Sequence, residues 1–185
     1  EGTGAQMFVD WSPGGGDLTL RSITAVREDE YESPIDFDST AARTFDVPVV
    51  YENEQFSQEL QAIYQGERLT FVGGLYYLNE DIESHQEAYA DDLLTGPGGF
   101  TFLRTVDDAL ETTSLAGYAN LSLALSDRLN VALGVRYTEE EKDYARSTST
   151  FSSFPGFTLN PAFAFTINNT WTDTSPMASI DYRAS

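Results

Sequence analysis

The side chains best able to do chemistry are the carboxylates between positions 80 and 111. This stretch holds nine Asp and Glu residues and one arginine. Hard cations such as Ca²⁺ take several oxygen ligands, often from a flexible loop. The candidate ligands for a divalent cation are Asp91, Asp92, Asp107 and Asp108. The Asp-x-Asp-x-Asp-Gly spacing of a calcium loop is not present, and a solvated, self-repelling acidic loop is the interpretation we favour.

His85 is the only histidine, and it lies in the same acidic stretch. A transition-metal site needs further His or Cys ligands, and the chain has no cysteine. A Ser–His–Asp triad needs only one histidine, but the sequence has no Gly-x-Ser-x-Gly nucleophile elbow. We therefore predict that the chain is not an enzyme and uses no cofactor.

Composition narrows the class of protein further. The 185 residues are enough for one domain. With 30 acidic and 10 basic residues the formal charge is -20, which argues against a nucleic-acid partner because phosphate binding needs a basic surface. No run of about 18 apolar residues predicts a membrane helix. No secretory signal is visible, so we expect either a processed chain or a piece of a longer one.

The elements that must position these side chains are β-strands. The clearest signal runs from Leu115 to Tyr144, where two strand-like runs meet at a turn over 126–128. In the second run, alternate residues are apolar and end in Tyr137, and the residues between them are small or polar. A period of two predicts a strand with two different surroundings. An apolar face that ends in an aromatic is typical of an outer-membrane barrel strand.

The connections alternate between short and long along the whole chain. Short turns are predicted at about 12–17, 65–68 and 126–128, and long loops at about 32–53, 80–111 and 147–170. Outer-membrane barrels show this alternation, with short periplasmic turns and long extracellular loops. The runs between them reach the 9–11 residues that cross a bilayer. We predict an all-β fold: about seven strands of an antiparallel, up-and-down transmembrane β-barrel segment, with residues 1–185 in one barrel domain.

The alternation also predicts which face each side chain occupies. A cation facing lipid near the midplane costs roughly 2–4 kcal/mol and an acid costs less, so we place Glu59 and Arg136 on the lumen side. The predicted lipid-facing residues are Leu121, Leu123, Val131, Leu133, Val135 and Tyr137. Interfacial aromatic residues are predicted near strand ends at Trp11, Tyr31, Tyr64, Tyr77, Tyr137 and Trp171.

A cluster of phenylalanines follows the last hairpin, at positions 151, 154, 157, 163 and 165. It predicts either a surface for a ligand or partner, or a loop that packs on itself.

Four segments carry a family resemblance: LTLRSITAVRE (18–28), EQFSQELQA (54–62), RLTFVGGLYY (68–77) and DRLNVALGVRYTEEEKDY (127–144). They resemble the barrel domain of TonB-dependent outer-membrane receptors. The resemblance implies a barrel of about 22 strands in the bacterial outer membrane. It also implies energy-coupled uptake of a scarce nutrient such as a metal chelate, a vitamin or an oligosaccharide. The implied partners are outer-membrane lipid and lipopolysaccharide, the remainder of the same barrel, and an energy-coupling inner-membrane protein that acts through a plug domain.

The sequence departs from that pattern in its extent. It shows no plug and about seven strands, and seven strands do not close a bacterial barrel. Open sheet edges are not tolerated in lipid, so we expect an internal segment of a receptor barrel. Two alternatives are a soluble all-β extracellular binding module and a structural or partner-binding envelope barrel. In a soluble sandwich the predicted lipid-facing side chains would be buried against a second sheet.

Overall fold

One antiparallel sheet accounts for the strands of the chain. The computed structural model describes residues 1–92, 101–153 and 162–184. Their strands pair strictly in chain order, as in an up-and-down meander. The seven strands are β1 Gly2–Trp11, β2 Leu18–Asp36, β3 Asp46–Gln65, β4 Leu69–Tyr89, β5 Phe102–Ser126, β6 Leu129–Ser152 and β7 Phe163–Tyr182. This confirms the predicted fold class.

Three connections are tight and lie at one end of the sheet, which we call the turn end. They cover 12–17, 66–68 and 127–128, within one residue of the predicted turns. The first contains a short 3-10 helix, Pro13–Gly15, in which Gly14 and Gly15 have φ of 72° and 65°. Glycine adopts this left-handed conformation without steric cost, so the polar Pro-Gly-Gly-Gly sequence makes the reversal there. The opposite end of the sheet is the loop end.

The predicted bounds of the long loops were wrong. β2 continues to Asp36 and β3 begins at Asp46, so most of 32–53 is paired strand. In the same way, β4 extends to Tyr89, and β5 begins at Phe102. Between residues 80 and 88 most side chains on both faces are polar, so the apolar alternation stops while the backbone ladder continues. Phe154 and Phe157 lie outside the described residues, as does the Gly- and Pro-rich stretch 95–99.

The described strands form a single layer without a conventional core. The only buried apolar residues among the described ones are Ala90, Phe102 and Ala116. Leu133 leaves 53% of its surface exposed, and Leu121, Val135 and Tyr137 are also exposed. A soluble sandwich would bury these side chains against a second sheet, and the described residues contain none. The soluble-module alternative is therefore wrong for this part of the chain. Among the described residues, no helix has the length and apolar character to cross a membrane.

Candidate functional site

The strand register sorts the side chains onto two faces. Residues directly opposite each other in an antiparallel pair share a face. Leu121 pairs with Leu133, and Leu123 pairs with Val131, so these residues lie on one face, which we call the Leu133 face. It holds all six side chains that the sequence predicts to face lipid.

The opposite side, the Arg136 face, holds the two predicted lumen residues. Arg136 lies opposite Tyr118, and Glu59 lies opposite Tyr76 on the adjacent row. Tyr118 donates a hydrogen bond from its hydroxyl to Glu59 Oε1 at 2.6 Å, across the intervening strand β4. Gln61 Nε2 donates to the same oxygen at 2.9 Å. The Arg136 guanidinium lies 5.8 Å from the centre of the Tyr76 ring, within cation–π range.

All the basic residues of the described strands lie on the Arg136 face. Most have acidic or aromatic partners: Arg21 contacts Asp10 at 2.7 Å, and Lys142 contacts Glu140 at 3.2 Å. The six residues are Arg21, Arg27, Arg104, Arg136, Lys142 and Arg146. Most cations on this face are therefore held in separate pairs with a neighbouring acid or aromatic ring.

The Arg136 face is also the more crowded of the two. Ala116, Ser114 and Thr112 follow one another on this face of β5 and are 1%, 5% and 3% exposed. In a single-layer sheet, small side chains become buried on the concave face, because the larger side chains of neighbouring strands cover them there. The burial pattern thus indicates that the Arg136 face is concave.

The Leu133 face changes character abruptly towards the loop end. Near the turn end it is mostly apolar, with Leu60 and Leu75 directly opposite each other and exposed. The polar side chains there include Gln58, which hydrogen-bonds to Ser22 and Thr24 on β2. Further along, five carboxylates stand directly opposite one another across five strands. We call them the acidic row: Glu28, Glu54, Asp81, Glu111 and Asp143. Like charges that face each other across strands are destabilising, and no Lys or Arg of the described strands shares this face.

The predicted cation ligands do not form one site. Alternation places Asp107 and Asp108 on opposite faces: Asp107 Oδ1 contacts His85 Nδ1 at 2.5 Å, and Asp108 accepts a bidentate bond from Arg146 at 2.6 and 2.8 Å. The other two candidate ligands, Asp91 and Asp92, lie near the loop end. Asp91 accepts a bond from the amide of Phe102 at 3.3 Å, and Asp92 accepts one from the amide of Arg43 at 2.8 Å. Each carboxylate already has a partner from the protein.

These contacts shift the protonation of two groups near the loop end. The hydrogen bond to Asp107 raises the pKa of His85 above its ordinary value, against the smaller opposing effect of desolvation. The hydrogen bond from Arg146 lowers the pKa of Asp108. Ser147 Oγ contacts Asp107 Oδ2 at 3.4 Å, and the described hydrogen bonds place no serine on His85. The geometry is therefore not that of a hydrolase triad.

A different carboxylate group, which the sequence analysis missed, holds the β2–β3 connection. Asp36, Asp38 and Asp46 place ligand-type atoms within 4.8 Å of one another. Asp38 accepts hydrogen bonds from the hydroxyls of Thr40 and Thr44, which lower its pKa to about 2. Asp36 Oδ1 accepts the amides of Asp38 and Ser39 at 3.0 and 2.7 Å. The sequence Asp-Ser-Thr at 38–40 is typical of a turn and could have indicated this group of carboxylates. Its hydrogen bonds stabilise the β2–β3 connection.

The predicted interfacial aromatics divide between the faces. Tyr31 and Trp171 lie on the Arg136 face, because they pair with Tyr51 and Glu140. These two aromatics therefore do not share the face of the predicted lipid-facing residues, since proximity to a strand end does not determine the face. Phe163 and Phe165 belong to β7 rather than to a loop, and their ring centres are 5.4 Å apart. Phe165 also meets Tyr144 edge-on at 5.7 Å.

A one-layer meander with an uncovered apolar face and a hydrogen-bonded polar face defines the class: a segment of an outer-membrane β-barrel wall. The family model "TonB dependent receptor-like, beta-barrel" matches residues 5–185. The chain therefore belongs to the TonB-dependent receptor β-barrel family, an outer-membrane family of Gram-negative bacteria. It is a family of receptors and transporters rather than a class of enzymes.

Two solved structures share the fold. The ferric yersiniabactin uptake receptor FyuA from Yersinia pestis is 17% identical, with a TM-score of 0.79 over 100% of this chain and 26% of its own. The ferric-catecholate import receptor Fiu from E. coli K12 is 14% identical, with a TM-score of 0.56 over 100% of this chain and 33% of its own. The chain thus spans about a quarter to a third of these receptors. No curated protein matches the sequence.

Proposed function

We propose that this chain forms part of the wall of an outer-membrane receptor for energy-coupled uptake of a scarce nutrient, such as a metal chelate, a vitamin or an oligosaccharide. The observation that supports it most is the division of the sheet into an uncovered apolar face and a face that holds every strand cation. The Leu133 face contacts lipid. The Arg136 face, with Glu59 and Arg136, lines the lumen.

The proposal fixes the orientation of the sheet in the membrane. The turn end is periplasmic, since its connections are the shortest, and the loop end is extracellular. The acidic row then lies above the apolar part of the Leu133 face, at the level of the lipopolysaccharide. Within the described chain, β1 and β7 each pair on one side only. The remainder of the same barrel supplies their missing neighbours, because lipid does not tolerate open strand edges.

The whole receptor includes a plug domain through which an energy-coupling inner-membrane protein acts. The proposed receptor has no enzymatic activity, cofactor or nucleic-acid partner. Deleting the receptor gene should abolish growth on the scarce nutrient that it imports, and inactivating the energy-coupling protein should give the same defect. A deletion strain that takes up every supplied iron chelate, cobalamin and maltodextrin normally would favour an envelope barrel with a purely structural role.

Site-directed spin labels test the two faces directly, since this chain has no cysteine. In the full receptor, with any other cysteines replaced, labels at Leu75→Cys and Leu133→Cys should be accessible to lipid-soluble oxygen. Labels at Glu59→Cys and Arg136→Cys should instead be accessible to a water-soluble nickel chelate. The same preference at all four positions would refute the face assignment.

A further inference from the structure

The apolar part of the Leu133 face has a recess close to the turn end. Its volume is about 580 Å³. The floor is made by two small residues that lie directly opposite each other, Ala62 on β3 and Gly73 on β4. The side chains that surround this floor on the same face are Val9, Trp11, Leu20, Ser22, Leu60 and Leu75.

The walls of the recess are mostly apolar. Leu60 and Leu75 stand side by side towards the loop end, and Trp11 and Leu20 flank the β1 side. Ser22 supplies the one hydroxyl among the lining side chains, and this hydroxyl already accepts a hydrogen bond from Gln58 Nε2 at 3.0 Å. A polar ligand would lose its hydration here for few partners, so the recess suits a hydrocarbon. The Phe71 ring lies over Gly73, since a Cβ added to that glycine would be 2.7 Å from Phe71 Cζ.

The floor spans two adjacent strands, which are about 4.8 Å apart, because Ala62 is on β3 and Gly73 is on β4. The volume of about 580 Å³ above it has room for part of a polymethylene chain.

The depth of the recess identifies the leaflet that supplies the chain. Trp11 is the last residue of β1, directly before the 12–17 turn, and Ala62 lies three residues before the end of β3. The recess is therefore in the periplasmic half of the apolar region. Phospholipid fills that leaflet of the outer membrane, and lipopolysaccharide fills the other. Trp11 is 61% exposed, and tryptophan prefers the level of the headgroups.

We propose that the recess holds one acyl chain of a periplasmic-leaflet phospholipid as a resident lipid, with Trp11 beside its headgroup. This inference rests on the proposed function, because it requires the Leu133 face to contact lipid. Elsewhere in the apolar part of that face, larger side chains such as Leu60, Leu75 and Leu133 project from the sheet. The Phe71 ring covers Gly73, so the open space lies above Ala62, where an inserted chain keeps the apolar walls in contact with hydrocarbon.

The test fills the recess in the full-length receptor. Ala62→Leu places a larger side chain on the floor, and Ala119→Leu is the matched control. Ala119 lies on the same face, in the same row, directly opposite Gly73 on β5, but outside the recess. We expect native mass spectrometry in a mild detergent to find one phospholipid on the wild type and on Ala119→Leu. Ala62→Leu should reduce that bound fraction at least fivefold.

The outcomes separate this inference from the function on which it rests. Three results would each refute the resident acyl chain. They are that Ala62→Leu retains as much phospholipid as the wild type, that the retained lipid is lipopolysaccharide, or that the wild type retains no lipid. In those cases the spin-label result at Leu75 and Leu133 still reports independently whether the face contacts lipid. If Ala62→Leu fails to reach the outer membrane, Ala62→Val replaces it, and an intermediate loss of phospholipid is then expected.

Discussion

The two faces of this sheet use charge in opposite ways. On the Arg136 face, acids and bases alternate and contact each other, as in the pairs Arg21–Asp10 and Arg146–Asp108. On the Leu133 face, the strands carry carboxylates but no Lys or Arg in the described part of the chain. The acidic row crosses five strands in series. The net charge of -20 is therefore not a uniform property of the surface, since much of the excess lies on one face.

This difference teaches that the surroundings of each face, rather than the overall composition, determine where charges are placed. Neighbouring residues on one strand are only one position apart in sequence and yet meet different surroundings. A charge that is stabilised at one position is costly at the next. Substitutions that differ only in face are therefore the sharpest way to test the comparison.

The largest effect should come from a charge placed in the apolar part of the Leu133 face. Leu133→Arg should cost roughly 2–4 kcal/mol, the range for a cation near the bilayer midplane. We expect it to prevent accumulation of folded receptor in outer-membrane fractions. Asn130→Arg, on the opposite face of the same strand, should be far milder. Comparable amounts of folded protein for the two variants would contradict the different surroundings assigned to the two faces.

A smaller effect should follow from breaking an ion pair on the Arg136 face. Arg146→Met removes the bidentate partner of Asp108 and should destabilise the loop end only locally and modestly, because the pair is only partly shielded from solvent. The measurement is hydrogen exchange of the backbone amides of β5 and β6 near these residues. Arg104→Met is the control, since Arg104 forms no ion pair with the residues that the structure describes.

The same pair predicts a dependence on pH. The folded pKa of Asp108 is lowered from 3.8, so its stabilising contribution is complete above about pH 4 and is lost as the pH falls through the folded pKa. In the wild type, exchange near Asp108 should accelerate in that acidic range. The acceleration should be weaker in Arg146→Met, and an identical pH profile in both proteins would contradict the assignment.

Relieving repulsion in the acidic row should stabilise the sheet slightly. Glu54→Gln removes the carboxylate between Glu28 and Asp81, and we expect a gain of a few tenths of a kcal/mol. The gain should shrink at high salt, since exposed charges are screened. Urea unfolding of the full receptor at two salt concentrations measures it. Glu80→Gln, on the Arg136 face of the adjacent strand, should give no comparable gain.

The smallest effect concerns His85, which is nearly half exposed. Its folded pKa is raised from 6.5, so the contact with Asp107 stabilises the folded state below about pH 6.5 and loses that effect as the pH rises through the folded pKa. NMR titration of the imidazole should show the raised pKa, and Asp107→Asn should reverse most of the shift. Glu87→Gln should have less effect, because Glu87 lies 3.7 Å from the ring. A larger shift from Glu87→Gln would contradict this order.

The sequence predicted the fold best where the two faces differ most. In the hairpin around Leu133, apolar and polar residues alternate cleanly, and the faces follow from that period alone. Between Glu80 and Tyr89 both faces are polar, so the same pairing leaves no hydropathy signal, and the strand was taken for a loop. Similarly, Trp171 could be assigned to its face only from its pairing with Glu140, which depends on contacts remote in sequence.

The candidate site was harder to predict than the fold. Asp107 and Asp108 are adjacent in sequence, and as loop residues they could have shared an ion. As strand residues they point to opposite faces and take His85 and Arg146 as separate partners. Conversely, the acidic row joins residues that are 115 positions apart from end to end, Glu28 to Asp143. Only the register of four consecutive strand pairs brings them into line.

The unbroken register constrains how such a wall can change in length. Apart from one shift beside the last tight turn, between Ala124 and Ser126, each ladder keeps a single alignment along its strands. Deleting one residue from the middle of β4 would exchange the faces of every side chain beyond it. The acids of that strand would turn inwards and its inner residues outwards. Insertions and deletions in these long strands should therefore be tolerated when they add or remove two residues. Insertions or deletions of a single residue should be confined to the connections.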